Sequence, residues 1–129
     1  MHSRSMQMVI NPLGLDLHDG TGYAPRHEIR DPLHLETITA DMTRNGWSGA
    51  PIVARVDWAQ AITGSHRIPA AALADIDDIP VVDIFDLAAA CGVDLDDLIA
   101  TYGGLEDALP AFCAEVPADI AEAYGLDID

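Results

Sequence analysis

The fold is decided by residues 63–72, which read TGSHRIPAAA. A mainly apolar run at 59–62 leads through Thr63 into Gly64, two hydrogen-bond donors follow in His66 and Arg67, and an alanine-rich segment comes next. This order predicts a strand, a tight turn and the start of a helix. A helix N-terminus carries unpaired N–H groups and about half a positive elementary charge, and Arg67 adds a planar donor fork. The turn is therefore a candidate site for a phosphate or carboxylate.

The segments around this turn predict an α+β fold with a small mixed sheet and helices. Asp31 and Pro32 are suited to the start of a helix that Asn45 and Gly46 end. Apolar, β-branched runs predict strands at 51–56, 59–63 and 79–85, and the alanine-rich segment predicts a helix at 65–75. From residue 86 onward the pattern is helical only. We therefore expect residues 1–85 to form the α+β domain, and 86–129 to form an acidic all-helical extension packed on or beside it.

The charge is divided sharply at Arg67. The formal net charge is −16, all six basic residues are arginines, and there is no lysine. Residues 1–67 carry seven carboxylates against six arginines, while residues 68–129 carry fifteen carboxylates and no basic residue. The absence of lysine excludes a P-loop lysine, a Schiff base and a Ser-Lys dyad. The acidic half is either a solubilising surface or a surface for a basic partner.

The Gly-Ser-His-Arg turn and the order of elements around it resemble the fold of sulfiredoxins and of the N-terminal domains of ParB-type partition proteins. A helix near 32–45, Gly46-Trp47, a strand at Pro51-Ile52-Val53, the turn, a helix and the strand Ile79-Pro80-Val81-Val82 follow in that order. The resemblance covers roughly residues 8–84. Sulfiredoxins have their catalytic cysteine where this chain has Ser65, which argues against sulfinic-acid reduction.

The resemblance implies a nucleotide-phosphate site at the turn, on Thr63, Gly64, Ser65, His66 and Arg67. The alternative is an ordinary strand-to-helix turn, in which Ser65 caps the helix and Arg67 pairs with a carboxylate.

Two further sets of residues are candidates for this site. The loop at 21–27, before the first helix, is a candidate lid, with Tyr23 stacked on a base and Arg26 on a phosphate; the alternative is an ordinary surface loop. Glu36 and Asp41 lie on the helix that borders the site in the family. They are candidates for Mg²⁺, which takes one or two carboxylates together with phosphates; the alternative is a solvated helix face.

Two functions follow from these observations. The first is binding of a nucleoside triphosphate, ATP or CTP with Mg²⁺, with hydrolysis or phosphoryl transfer as the chemistry if the chain is an enzyme. The second is an acidic interaction or inhibitor protein, in which the C-terminal helices present carboxylates to a basic protein partner, as a nucleic acid presents phosphates. Nucleotide binding and capture of a basic partner are thus the two hypotheses.

The same features argue against several other classes. A segment of net charge −15 follows the turn, so direct binding to duplex nucleic acid is not expected. His18, His27 and His34 are spaced too irregularly for a zinc site. The chain has no apolar run of the roughly 20 residues that span a bilayer and no secretory signal, so a cytoplasmic location without membrane contact is expected.

Overall fold

The computed structural model describes residues 8–126 and has an α+β architecture. Over that range it contains six α-helices and two small sheets. The strands are β1 (Met8–Val9), β2 (His18–Asp19), β3 (Ser48–Gly49), β4 (Ile52–Arg55), β5 (Gln60–Ala61) and β6 (Pro80–Asp83). The helices are α1 (Pro32–Asn45), α2 (Arg67–Leu73), α3 (Ile84–Cys91), α4 (Leu95–Tyr102), α5 (Leu105–Glu115) and α6 (Ala118–Ala123). The predicted fold class is confirmed.

The main sheet is mixed and has the strand order β2-β6-β4-β5. Strands β4 and β6 are parallel neighbours in its centre, with Ile52 opposite Val81 and Val53 opposite Val82. Strand β2 pairs antiparallel with β6, and β5 pairs antiparallel with β4 through a short 3₁₀ turn. Strands β1 and β3 form a separate parallel pair. Strands β4 and β5 thus lie within the predicted strands 51–56 and 59–63 and form a hairpin.

Helices cover both faces of the central strands. Because successive side chains of a strand point to opposite faces, Ile52 and Val81 pack on one side, in a cluster with residues of α1 and α2. Val53 and Val82 pack on the other side, in a cluster with residues of α3, α4 and α5 that includes Phe112. Both faces are buried, which explains why the first three residues of β4 and of β6 are all apolar.

The C-terminal helices lie against the sheet and share a hydrophobic core with it. The expected division between residues 85 and 86 falls inside α3, which begins at Ile84. The predicted strand at 79–85 is too long, because Ile84 and Phe85 belong to that helix. Asp83 is the last extended residue, and its carboxylate accepts a hydrogen bond from the backbone N–H of Val56 at 3.2 Å. This long-range contact holds the end of β6 beside the end of β4.

Helix α1 has the boundaries that the sequence predicts, and α2 is shorter than predicted. The carboxylate of Asp31 accepts a hydrogen bond from the N–H of His34 at 3.1 Å, and the N–H of Gly46 donates to the carbonyl of Met42. Helix α2 covers seven residues instead of the expected 65–75. None of the helices in residues 8–126 is both long and apolar enough to cross a membrane.

Candidate functional site

The turn between β5 and α2 is attached to β4 by three hydrogen bonds. The backbone N–H groups of Ile62 and Thr63 both donate to the carbonyl of Val53, at 2.8 and 3.1 Å. In return, the hydroxyl of Thr63 accepts a hydrogen bond from the N–H of Val53 at 3.0 Å. Since Val53 lies in the buried centre of the sheet, these bonds fix the start of the turn to the most rigid part of the fold.

Gly64 brings the turn into close contact with the sheet. Its φ angle is +83°, and a Cβ atom there would lie 2.0 Å from Cδ1 of Ile52. Both facts require glycine, because a side chain would be strained by the backbone and would collide with a buried isoleucine. Residues 65–67, which follow Gly64, therefore lie close to the sheet.

The start of α2 differs from the ordinary turn in which the side chain of Ser65 would cap the helix. His66 occupies the N-cap position, and no side chain caps this helix. The hydroxyl of Ser65 is 2% exposed and accepts a hydrogen bond from the backbone N–H of His27, at 3.3 Å. Because α2 has only seven residues, its dipole is short. Any attraction for an anion at this turn therefore depends mainly on side chains.

The turn forms one wall of a cavity of about 570 Å³. The other walls come from the loop and helix around residues 27–38, from Ala50, and from the C-terminal part of the chain. The lining residues are Thr63, Gly64, Ser65, His66 and Arg67, then His27, Arg30, His34, Ile38 and Ala50, and finally Glu122, Ala123 and Gly125. The cavity thus contains two arginines, three histidines and a single carboxylate.

The three imidazole rings of the cavity lie close together. The ring of His66 is 5.3 Å from that of His34 and 6.1 Å from that of His27, measured between centroids, and both pairs are edge-on. No group of three or more His, Cys, Asp or Glu residues within 8–126 is arranged to hold a metal ion. The three imidazoles thus place polar ring nitrogens around a common space.

Arg67 is a largely buried cation. One guanidinium nitrogen donates to the carbonyl of Ala50 at 2.6 Å, and the guanidinium lies 4.7 Å from the centre of the Trp47 ring. No carboxylate within the described part of the chain pairs with it. Burial lowers the pKa of Arg67 to about 10, so the side chain is charged at neutral pH. A buried charge without a counter-ion carries a desolvation cost that a bound anion would offset.

Three side chains of residues that line the cavity each accept one hydrogen bond from a backbone N–H group of the protein. The hydroxyls of Thr63 and Ser65 accept from Val53 and His27, and Nε2 of His66 accepts from the N–H of Asp31 at 3.2 Å. A neutral histidine that accepts at Nε2 carries its hydrogen on Nδ1. Within residues 8–126, neither hydroxyl hydrogen nor this N–H has an acceptor. Together with the guanidinium N–H groups that Ala50 leaves unused, they form a set of hydrogen-bond donors without acceptors.

The structure brings together all five predicted residues of the turn, but neither predicted residue of the lid. Tyr23 packs against the core cluster that contains α1 and α2, and burial raises the pKa of its phenol. Arg26 donates two hydrogen bonds to the carboxylate of Glu106 on α5. Neither side chain lines the cavity, and their role as a lid stays a prediction.

The two predicted magnesium ligands lie in different places. Asp41 lines a second cavity of about 440 Å³, which shares Ile38 and Arg67 with the first. Its carboxylate accepts a hydrogen bond from the side chain of Asn45 at 2.8 Å. Glu36 is exposed on α1 and lines neither cavity. The role of these carboxylates with Mg²⁺ also stays a prediction.

Sequence reasoning did not place four charged or titratable residues in the main cavity: His27, Arg30, His34 and Glu122. A signal for the first three was present, because basic side chains are concentrated at 26–34 around the start of α1. Glu122 gave no such signal, because only the packing of α6 brings it to the site. The carboxyl-terminal region therefore contributes a wall of the cavity, besides packing on the sheet.

The comparisons with known proteins do not assign this site. A scan of protein-family models finds no match, and searches of curated proteins and of solved structures find none either. A functional interpretation of the cavity therefore rests on its own geometry.

Proposed function

We propose that this protein binds a nucleoside triphosphate, with ATP and CTP as the first candidates, and that the phosphates lie against residues 63–67. The observation that carries the proposal is the set of donors at the turn. The residues that carry two hydroxyls, an imidazole N–H and the remaining N–H groups of a guanidinium line one cavity, and these donors have no acceptors among the described residues. Phosphate oxygens accept hydrogen bonds and do not donate them when ionised, so they complement such a set.

The charge distribution supports the same ligand class. The chain as a whole carries −16, which repels anions, yet the cavity gathers Arg30, Arg67 and three imidazoles around one carboxylate. Anion binding in such a protein requires a local cluster of cations in a partly enclosed space, where the dielectric is low and electrostatic interactions are strong. The cavity volume of about 570 Å³ lies within the range of small-molecule sites.

The order of elements supports a relationship to the ParB and sulfiredoxin fold, which we include in the proposal. Strand β4, hairpin strand β5, the Gly-Ser-His-Arg turn, α2 and β6 follow one another as that resemblance leads us to expect. Helix α1 precedes them and lies beside α2 on one face of the sheet. The helices from α3 onward are additional to the minimal unit of that family.

The side chains present could hold Mg²⁺ only as a complex with the nucleotide, whose phosphates would provide part of the coordination. Magnesium uses few protein ligands and takes the rest of its coordination from phosphates and water. Asp41 lines the same cavity as Arg67 and could provide one carboxylate for such a complex, whereas Glu36 lines neither cavity. Of the two carboxylates, we therefore expect Asp41 to hold magnesium together with bound phosphates.

The experiment is a thermal-shift and calorimetric titration with ATP, CTP and GTP, each with and without Mg²⁺. A ligand that binds only the folded state raises the melting temperature. The variants Arg67→Met and Ser65→Ala should weaken binding at least about tenfold, the range of a hydrogen bond to a charged group. Arg55→Met is the matched control, because Arg55 lies over Trp58, outside both cavities.

Failure of every nucleotide to bind would overturn the proposal, as would binding that both variants leave unchanged. Release of inorganic phosphate from a bound triphosphate, measured over time, distinguishes hydrolysis from binding alone. Phosphoryl chemistry needs positioning and charge stabilisation more than it needs a covalent group on the protein. The donors and cations of the cavity are of the kinds that provide both.

A second candidate function concerns the acidic surface. The chain beyond Arg67 contains no basic residue. Five carboxylates of α4 and α5 are exposed: Asp96, Asp97, Glu106, Asp107 and Glu115. One of them, Glu106, already pairs with Arg26. Binding of a basic protein to this surface would weaken steeply with salt, and a pull-down repeated at low and high ionic strength tests it. A salt-insensitive complex would contradict this function.

A further inference from the structure

The second cavity contains a cation of its own, Arg44. This cavity of about 440 Å³ is lined by Thr37, Ile38, Asp41, Met42, Arg44 and Arg67. It shares Ile38 and Arg67 with the main cavity, so Arg67 borders both spaces. Two arginines therefore line the second cavity, with one carboxylate.

Arg44 differs from the arginines that are used in the protein's own ion pairs. Arg26 pairs with Glu106, and Arg55 pairs with Asp57. In a chain with 22 acidic residues, no carboxylate within residues 8–126 pairs with Arg44, although Asp41 lies about one turn earlier on the same helix.

Two polar neighbours of Arg44 make hydrogen bonds to other residues of α1. The carboxylate of Asp41 accepts from Asn45, and the hydroxyl of Thr37 donates to the carbonyl of Leu33. A position in the last turn of α1 suits any cation, because the helix dipole is negative there. That explains a basic residue at position 44, but it does not explain why Arg44 lines the same cavity as the buried Arg67.

We infer that Arg44 forms a second anion subsite, so that the ligand is a polyphosphate ester that extends from the 63–67 turn past Arg67 to Arg44. This inference rests on the proposed function, because it assigns the first phosphate to the donors of the turn. The shared Arg67 is the bridge between the subsites, since its five N–H donors form a planar fork and a single hydrogen bond, to Ala50, uses them within the described residues. A monophosphate occupies the first subsite alone, whereas a triphosphate reaches both.

The test compares AMP, ADP and ATP by isothermal titration, in a buffer with EDTA so that magnesium does not neutralise the phosphates. The wild-type protein should bind more tightly as phosphates are added. Arg44→Gln should weaken ATP binding about tenfold, which is the lower range for a hydrogen bond between charged groups. The same substitution should leave AMP binding within about twofold, because an exposed charge acts weakly across solvent. Arg44→Lys should retain most of the ATP affinity.

The control variant is Arg55→Gln, which changes the net charge of the chain by the same amount outside both cavities. It should leave all three affinities unchanged. Equal losses for AMP and ATP in Arg44→Gln, or no loss for ATP, would overturn the second subsite. If wild-type binding depends on Arg67 but not on Arg44, only the second subsite fails. If none of the three nucleotides, nor inorganic tripolyphosphate, binds the wild-type protein, the proposed function fails with it.

Discussion

The close approach of Gly64 to the sheet can be tested by Gly64→Ala. The substitution introduces two separate costs. The first is the left-handed backbone, since φ is +83° and a non-glycine residue pays about 1–2 kcal/mol there. The second is the new methyl group, which would lie 2.0 Å from Cδ1 and 3.3 Å from Cγ1 of Ile52. Overpacking in a core costs about 1–3 kcal/mol. Together they should lower the free energy of unfolding by about 2–5 kcal/mol.

Two further variants separate these costs. Gly92, at the end of α3, has a φ of +72°, and a Cβ atom added there would have no neighbour within 4 Å. Gly92→Ala should therefore carry only the backbone cost of about 1 kcal/mol. Ile52→Val removes Cδ1, the atom in the closest contact, and alone it should cost about 0.5–1.5 kcal/mol. In the Gly64→Ala background, however, it should restore stability because it relieves the collision.

The assay is urea unfolding of the four variants and the wild type, with the slope and midpoint fitted separately. The double-mutant cycle of Gly64 and Ile52 should show a coupling of at least about 1 kcal/mol. Additive effects of the two substitutions, or a Gly64→Ala cost equal to that of Gly92→Ala, would refute the close approach. The turn would then be held above the sheet by hydrogen bonds alone.

Three other predictions follow from the structure. Asp31→Ala removes the acceptor for the N–H of His34 and should lower the free energy of unfolding by about 1 kcal/mol, while an equal loss in Asp31→Asn would contradict the capping role. Burial raises the pKa of Tyr124 above its usual 10.0, so the folded protein keeps a proton that the unfolded chain loses. The contribution of this phenol to the free energy of unfolding is therefore fully present below pH 10.0 and is lost as the pH rises through the folded-state pKa. When unfolding is measured across that range, Tyr124→Phe should show a flatter dependence on pH. Arg67→Met should leave the unliganded protein as stable as the wild type or about 1 kcal/mol more stable, because it removes a buried charge, and it should abolish stabilisation by phosphate in a thermal melt.

Local signals explain which elements were predictable. Helix α1 has its expected boundaries because Asp31, Pro32 and Gly46 fix its ends through bonds between near neighbours. The junction of β6 and α3 was misplaced because Ile84 and Phe85 are apolar and fit a strand or a buried helix equally well. At this junction the carboxylate of Asp83 accepts a hydrogen bond from the N–H of Val56, and a contact between distant segments leaves no local pattern.

The candidate site was predictable only where its residues are consecutive. The turn at 63–67 could be recognised because its donors follow one another along the chain. Another wall includes residues of α6, and Glu122 reaches the cavity only through the packing of the C-terminal helices on the sheet. Likewise, the acceptor positions of Ser65 and His66 are occupied by N–H groups of the 27–31 loop. Neither pairing could be inferred from spacing.

The two tryptophans give the molecule a built-in optical reporter. Trp47 is fully buried and lies beside the guanidinium of Arg67, whereas Trp58 is 65% exposed on the far end of the β4–β5 hairpin under Arg55. An anion arriving at Arg67 would change the electric field across the indole of Trp47 and shift its emission. Trp58 would keep its solvent-like spectrum and serve as an internal reference, so occupancy can be followed by fluorescence without attaching a dye.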